Sequence, residues 1–280
     1  MAQSPLYWSQ RPKVVTTTKW PEKLLQLLSL PLLMFIFLPM VALFVRTPPE
    51  RLWANLASPQ VLQAIGLSFG TTCITVVIAV ILGTPVGYLL ARYDFKMRRL
   101  FDTLLDLPLV LPPAVAGVAL LMAFGRRGLL GGYLEFFGLD IAFTQFAVIL
   151  AQTFVAAPFY VKAAILGFSN IEPELEQAAA LDGAGHGQVF RFITIPLSWT
   201  ALLSGMVMTW ARALGEFGAT IIFAGNYPGR TQTMPLAIYI GLELDLTIAL
   251  TLSTIMLSIS FLVLFVVKRV LHQRVTNRWQ

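Results

Sequence analysis

The chain has 280 residues, of which 57% are hydrophobic and only 12% are charged, and its formal net charge is +6. Soluble domains usually carry about 25% charged residues. The composition therefore disfavours a water-soluble domain and predicts a polytopic membrane protein. No basic run with interleaved aromatic residues is present, so nucleic acid is not an expected partner. A single cysteine excludes an intrachain disulfide and a cysteine-based metal cluster.

Six apolar segments are each long enough to form a transmembrane helix, which needs about 20 apolar residues. Continuous apolar runs predict helices rather than the alternating segments of a membrane barrel. The sequence therefore predicts an all-α membrane domain over residues 24–267, flanked by segments 1–23 and 268–280. The six spans are placed near residues 24–45, 62–91, 104–124, 143–167, 196–223 and 246–267.

Lysine and arginine residues decide the predicted orientation. If the N-terminus is cytoplasmic, most of them lie on the cytoplasmic side, among them Arg92, Arg98, Arg99, Lys268 and Arg269. Cytoplasmic loops of membrane proteins carry an excess of Lys and Arg. Both termini are therefore expected in the cytoplasm, together with the loop between the fourth and fifth spans.

A polar segment rich in small residues occupies that loop. Pro173 suits the first turn of a helix, and Glu176 favours a helix N-terminus electrostatically. Residues 177–181 are good helix formers, and Gly183 permits a sharp turn after them. We predict a short helix in the segment of about 172–190, whose alanines let another protein approach closely. On composition alone, an ordinary loop between two spans is the alternative.

The spacing of this segment resembles the EAA loop of ABC-importer permeases, which has Glu-Ala-Ala, three residues, Gly, nine residues and Ile-x-Leu-Pro. Here Gln177-Ala178-Ala179 precedes Gly183, and Ile193-Thr194-Ile195-Pro196 follows, with both gaps matching. Gln177 stands where the family has Glu, and the adjacent Glu176 would supply the negative charge. The resemblance implies coupling to an ATPase through Glu176, Gln177, Ala178, Ala179, Gly183 and Pro196.

The same resemblance implies the partners of the chain. No G-x-x-x-x-G-K-[ST] phosphate loop is present, so ATP and Mg are expected on a separate cytoplasmic ABC ATPase subunit, with no cofactor on this chain. A homodimer in the lipid of a bacterial inner membrane and an extracytoplasmic oxyanion-binding protein are also implied. The chain is then a transport subunit and not an enzyme.

The third predicted span begins with a proline-rich run that contains Pro108, Pro112 and Pro113. Proline removes helical hydrogen bonds, and non-helical backbone at membrane depth usually lines a cavity or packs within protein. Pro112 and Pro113 are therefore candidates for the transport pathway or its gate. A simple kinked helix is the alternative.

Two opposite charges lie within the fifth predicted span. Arg212 and Glu216 are four residues apart, which places them on one face of a continuous helix. Charges inside a membrane usually serve function, so the two residues are predicted to form a pathway or gating pair. An ion pair that only holds helices together is the alternative. Because Glu216 would neutralise the arginine and repel an anion, we expect Arg212 to organise the helix bundle first.

A polar stretch follows the fifth span on the predicted outer side. Its hydroxyls, amides and one arginine can hydrogen-bond an anion or a docking protein, although a solvated loop has the same composition. The candidates for this external mouth are Asn226, Arg230, Thr231, Gln232 and Thr233.

Together, the blocks at 107–113, 125–131, 214–220 and 225–239 resemble the molybdate permeases of bacterial ABC importers. Sulfate permeases are similar in the EAA and Gly-Glu-Phe-Gly regions, and the Pro-Gly-Arg-Thr-Gln-Thr run favours molybdate. The resemblance implies ATP-driven import of molybdate by alternating access. A sulfate, thiosulfate or tungstate permease is the alternative within the class, and a secondary transporter driven by an ion gradient is the alternative outside it.

Overall fold

The computed structural model describes residues 22–277, and every regular element in that range is a helix. Contacts divide the chain into two units, Met1–Arg46 and Thr47–Gln280. The first unit contains α1 (Glu22–Arg46), which has no polar face and matches the first predicted span. Most of the predicted flanking segment 1–23 lies outside the described residues, as do residues 278–280.

The second unit contains the other helices. In chain order they are α2 (Pro49–Leu56), α3 (Pro59–Arg92), α4 (Arg98–Val110), α5 (Pro113–Phe124), α6 (Gly131–Phe136), α7 (Gln145–Ser169), α8 (Pro173–Leu181), α9 (His186–Val189), α10 (Ile195–Leu214), α11 (Gly218–Phe223), α12 (Met234–Leu244) and α13 (Leu246–Asn277). A π-helical stretch, Phe190–Thr194, joins α9 to α10. Within residues 22–277, five segments are long and apolar enough to cross a membrane, or six if the bent pair α4–α5 is one span. The predicted all-α polytopic fold is confirmed.

Helices α3 and α7 run side by side in the same direction. Thr75 donates a hydrogen bond to Gln152 at 3.2 Å, and the hydroxyls of Thr84 and Tyr160 lie 2.7 Å apart further along the same two helices. Lipid tails are as apolar as leucine, so helix association in a membrane depends on close packing and interhelical hydrogen bonds. These polar pairs fix the register of α3 against α7.

Small residues let α10 approach the same helices. A Cβ on Gly205 of α10 would lie 2.7 Å from the Cβ of Ala163 on α7, which is too close for any larger residue without movement. A Cβ on Gly167, nearer the end of α7, would meet Ala201 of α10 at the same distance. The order of these contacts shows that α10 runs antiparallel to α7.

The third predicted span is not a single helix. Helices α4 and α5 are bent by 116° relative to one another, with the break at Leu111 and Pro112. Pro113 occupies the first turn of α5, where its missing N–H costs no hydrogen bond. The prolines correctly predicted an interruption of this span, and the bend is larger than that of a simple kinked helix. Helix α4 also begins earlier than predicted, at Arg98.

The fifth predicted span is also broken. Helix α10 ends at Leu214, Gly215–Phe217 is not helical, and α11 begins at Gly218. The predicted continuous helix over residues 196–223 is therefore wrong. After the break, the chain forms a compact turn and then α12, an 11-residue apolar helix for which the sequence analysis had no helix. A helix of that length falls below the roughly 20 residues that identify a span.

Candidate functional site

Helix α8 is the short polar helix predicted between the fourth and fifth spans. It begins at Pro173 and has no buried residue. Its chain then turns at Gly183, whose φ of +90° is a left-handed conformation that glycine adopts without steric cost. The predicted helix and its glycine turn are both present. We define the α8 end of the second unit as α8, α9, the π-helical stretch and the adjoining ends of α3 and α7.

The outer surface of the α8 end carries strongly exposed apolar side chains among polar ones. Leu181 is 89% exposed and Phe192 is 68% exposed. Of the predicted coupling residues, Gln177, Ala178, Gly183 and Pro196 are exposed, and Ala179 is half-buried. Exposed apolar side chains grouped with small residues are typical of protein–protein contact surfaces.

Glu176 differs from the other predicted coupling residues because its side chain faces the helix bundle. Its Oε1 lies 3.1 Å from Nη2 of Arg92, the last residue of α3. The same oxygen accepts a 2.7 Å hydrogen bond from the Thr194 hydroxyl. Arg92 also donates from Nη1 to the carbonyl of Ile171 at 3.1 Å. The Glu176 carboxylate is therefore held within the chain, whereas Gln177 beside it is exposed.

The two helix breaks lie against each other. A Cβ added to Gly218, at the start of α11, would lie 2.7 Å from the Cβ of Pro113 at the start of α5. A Cβ on Gly117, one turn along α5, would lie 2.9 Å from the carbonyl oxygen of Ala219. The glycines therefore let two pieces of irregular backbone approach at the level where both predicted spans are interrupted. Pro112 and Pro113 are exposed on the surface of the isolated chain.

Arg212 and Glu216 form the predicted ion pair, although no continuous helix carries them. Arg212 Nη1 lies 2.7 Å from Glu216 Oε2, and the Glu216 side chain is only 1% exposed. Its other oxygen, Oε1, accepts a 2.9 Å hydrogen bond from the Ala219 backbone N–H. Glu216 thus caps the start of α11 and neutralises Arg212 at the same time. The pair therefore joins the end of α10 to the start of α11.

The predicted external mouth is mostly an internally bonded turn. The Tyr227 carbonyl accepts hydrogen bonds from the backbone N–H groups of Arg230, Thr231 and Gln232, and the Thr231 hydroxyl accepts one from the Tyr227 N–H. Thr231, Gln232 and Thr233 are buried, Asn226 is half-buried, and Arg230 is exposed. In this conformation, Arg230 is therefore the residue of this group whose side chain can meet a partner.

Two charged clusters were missed as sites. Arg92 had only been counted for orientation, and its pairing with Glu176 has no local sequence signal because the partners belong to different helices. Lys162 of α7 lies 2.7 Å from both Asp102 and Asp106 of α4. The spacing of the two aspartates, one helical turn apart, is the signal that could have indicated a shared partner.

Comparison with known proteins identifies the family. Residues 83–277 match the family described as "Binding-protein-dependent transport system inner membrane component". The chain belongs to this family. It is 42% identical over 231 residues to the molybdenum transport system permease protein ModB of Mycobacterium tuberculosis, covering 82% of this chain and 88% of the relative. It is 33% identical over 240 residues to the sulfate transport system permease protein CysT of Synechococcus elongatus, covering 84% and 86%.

A solved structure supports the same fold. A bacterial ABC transporter involved in the import of the acidic polysaccharide alginate has a chain with a TM-score of 0.70 and 16% sequence identity, covering 90% of this chain and 96% of that one. At this identity the likeness concerns the fold alone. The chain is therefore a multi-pass inner membrane component with the fold of ABC-importer permeases, and the matched region contains α8 and both helix breaks.

Proposed function

We propose that the chain is the transmembrane subunit of an ATP-driven importer that moves molybdate into the cell. The observation that carries the cargo assignment is the 42% identity to a molybdenum transport permease over most of both chains. The relative named as a sulfate permease is more distant, at 33% identity. A sulfate, thiosulfate or tungstate permease is therefore the second candidate.

The proposed mechanism is alternating access that is driven by a separate ATPase subunit. Two copies of the chain would form the pathway, both termini and α8 would face the cytoplasm, and an extracytoplasmic binding protein would deliver the oxyanion. ATP and Mg would be bound by a separate ATPase subunit. Its closure and opening on α8 would move the spans, and no bond in the cargo is made or broken.

The exposed surface of the α8 end is the proposed docking site for the ATPase. Leu181 projects from it with 89% of its surface exposed, which suits insertion into an apolar groove on a partner. The exposed residues Gln177, Ala178 and Gly183 lie on the same short segment. Small side chains there allow close approach of the partner backbone.

The broken helices are the proposed pathway element. The Pro112–Pro113 break and the Gly215–Phe217 break pack together, and irregular backbone at membrane depth is tolerated where it is buried in protein or lines a water-filled cavity. The Arg212–Glu216 pair would hold this arrangement in shape. A net neutral pair suits a structural role better than direct capture of an anion.

Uptake by the purified complex tests the proposal. Proteoliposomes are prepared with the chain, its ATPase and its binding protein. They are expected to accumulate labelled molybdate only when ATP is supplied on the side of the membrane where the ATPase lies. Excess unlabelled tungstate and sulfate distinguish the oxyanions, and stronger competition by sulfate than by molybdate would favour the second candidate. ATP-independent uptake by the chain alone, driven by an ion gradient, would overturn the importer assignment.

Docking has its own test. Leu181→Arg is expected to abolish co-purification of the ATPase because the charge replaces an exposed apolar contact. Leu139→Arg is the matched control, since Leu139 is also an exposed leucine, at 56%, but lies in the loop between α6 and α7. Equal ATPase binding by the two variants would remove α8 from the interface.

A further inference from the structure

Helix α8 has almost no attachment to the rest of the bundle. None of its residues is buried, so no apolar core fixes it. Among the side chains of α8, all of which lie in the described part of the chain, only Glu176 makes an ion pair or a side-chain hydrogen bond with another element. Besides the peptide chain at its two ends and its packing against α9 and the π-helical stretch, α8 is therefore connected to the membrane helices by the polar contacts of Glu176.

A cavity lies between α8 and α3. Its volume is about 920 Å³, and it is lined on one side by Pro85 and Leu89 of α3 and on the other by Gln177 and Ala180 of α8. Helices with such a space between them do not push on each other through packed side chains. The Glu176 contact crosses this gap, because Arg92 stands at the end of α3.

The contacts of Glu176 reach two long helices at once. Arg92 is the last residue of α3, a 34-residue helix that is tied to α7 along its length. Thr194 is completely buried at the start of α10, where its carbonyl accepts a hydrogen bond from Ser198. The Arg92 and Glu176 side chains are only 13% and 18% exposed, so solvent and salt screen their attraction less than at the surface.

We propose that Arg92, Glu176 and Thr194 form the link that transmits movement of α8 to α3 and α10. The proposal rests on the function proposed above, in which an ATPase docks on α8. It gives Glu176 a different role from the exposed residues around it. Ala178 and Leu181 meet the partner, whereas Glu176 is a positioning residue that passes the partner's movement inward. An ATPase contact by Glu176 itself is the opposing assignment.

The test separates docking from transmission. Glu176→Gln and Arg92→Gln each remove one charge of the link, and the exchange Arg92→Glu with Glu176→Arg restores opposite charges in reversed order. Glu174→Gln is the matched control, because Glu174 is an exposed acid on the same helix without an ion pair. Three quantities are measured in proteoliposomes: ATPase bound per chain, ATP hydrolysed, and molybdate taken up per ATP.

Both single variants are expected to bind the ATPase and hydrolyse ATP as the wild type does, with uptake per ATP lowered on the order of tenfold, a typical size for coupling between sites. The exchange variant should recover most of this loss, and Glu174→Gln should leave uptake per ATP unchanged, whatever its effect on ATPase binding. A merely structural role would lower ATPase binding, hydrolysis and uptake together. Loss of ATPase binding in Glu176→Gln alone would assign Glu176 to the interface and overturn the proposal, as would unchanged uptake per ATP.

Folding and the wider function are controlled separately. Size-exclusion chromatography checks each variant, and if a glutamine variant does not fold, Arg92→Lys replaces it. This variant keeps the charge without the planar guanidinium that reaches both Glu176 and Ile171, and it should lower uptake per ATP by a smaller factor. Uptake per ATP equal to that of the wild type would then overturn the link. If the wild type itself shows no ATP-dependent uptake, the proposed function fails.

Discussion

Two ion pairs in the second unit contrast in what they connect. Arg92–Glu176 joins the end of α3 to α8, which are distant in sequence and separated by a cavity. Arg212–Glu216 joins residues four apart at a helix break, and Glu216 also caps the start of α11. The first pair is suited to transmit movement between elements, and the second is suited to hold one irregular segment in place. Similar chemistry thus connects two separate elements in one region and stabilises a local helix break in the other.

The largest expected effect comes from disrupting the Arg212–Glu216 pair. Glu216→Ala leaves Arg212, whose side chain is 29% exposed, without its partner, and leaves the Ala219 N–H without an acceptor. Breaking a buried pair in this way costs about 3 kcal/mol or more of stability. We expect a clear fall in the thermal unfolding temperature in detergent and loss of uptake, whatever the state of the ATPase.

A double variant sharpens this expectation. Arg212→Gln with Glu216→Gln removes both charges and keeps a side-chain oxygen near the Ala219 N–H. It should be less destabilised than the sum of the two single glutamine variants, because neither charge is left alone. If the double variant transports no better than the worse single variant, mutual neutralisation is not the reason for the pair.

The packing of the two breaks gives the next largest effect. Gly218→Ala places a methyl group 2.7 Å from the Cβ of Pro113, and overpacking of this kind typically costs about 1–3 kcal/mol. Gly215→Ala is the matched control in the same break, because its nearest neighbour would lie at 3.7 Å, an ordinary contact. Thermal unfolding should separate the two variants, and equal behaviour would mean that the breaks move apart readily.

A smaller effect is expected at the contacts of Glu176 with Arg92 and Thr194. Thr194→Val removes the hydroxyl that donates to Glu176 but leaves the Arg92 pair intact. The expected loss of stability is about 1.5 kcal/mol, the lower end for a hydrogen bond to a charged group, because Glu176 keeps its Arg92 partner. Uptake per ATP should fall less than in Glu176→Gln, and Thr194→Ser, which retains the hydroxyl, should resemble the wild type. A fall of equal size in the valine and serine variants would deny the hydrogen bond any part in coupling.

The contrast between the two pairs also marks how far the sequence could predict the molecule. Helix α8 was predictable because Pro173 and Gly183 are local signals for its beginning and for the turn after it. The break after α10 was not predicted, since the four-residue spacing of Arg212 and Glu216 suits a continuous helix equally well. The sequence signal for this break is the pair of glycines that flank Glu216, Gly215 and Gly218.

The contact between Arg92 and Glu176, which belong to distant elements, had no sequence signal. The position of Arg92 predicted its side of the membrane but not its partner, because only the packing of α3 beside α7 brings it to Glu176. The same holds for the buried hydroxyls of Thr231 and Thr233, which have the composition of an exposed loop. Burial there depends on neighbouring helices, so local composition could not indicate it.

The smallest expected effect concerns a third pair, Arg126–Asp140, which is largely exposed and lies in the loops on either side of α6. Hydrogen bonds and the positive charge of Arg126 lower the pKa of Asp140 below its usual value. A carboxyl group whose pKa is lowered by folding stabilises the folded state above its unfolded pKa of about 3.9, and this contribution is lost as the pH falls through the lower folded pKa.

From pH 8 to pH 5 the Arg126–Asp140 pair should therefore stay intact, and Asp140→Asn should leave the unfolding temperature nearly unchanged because exposed pairs contribute little. Any small difference from the wild type should disappear only below about pH 4. Glu135→Gln is the control, as an exposed acid in the same region without an ion pair. If Asp140→Asn destabilised the protein as much as Glu216→Ala, burial would not explain why the Arg212–Glu216 pair contributes more to stability than the Arg126–Asp140 pair.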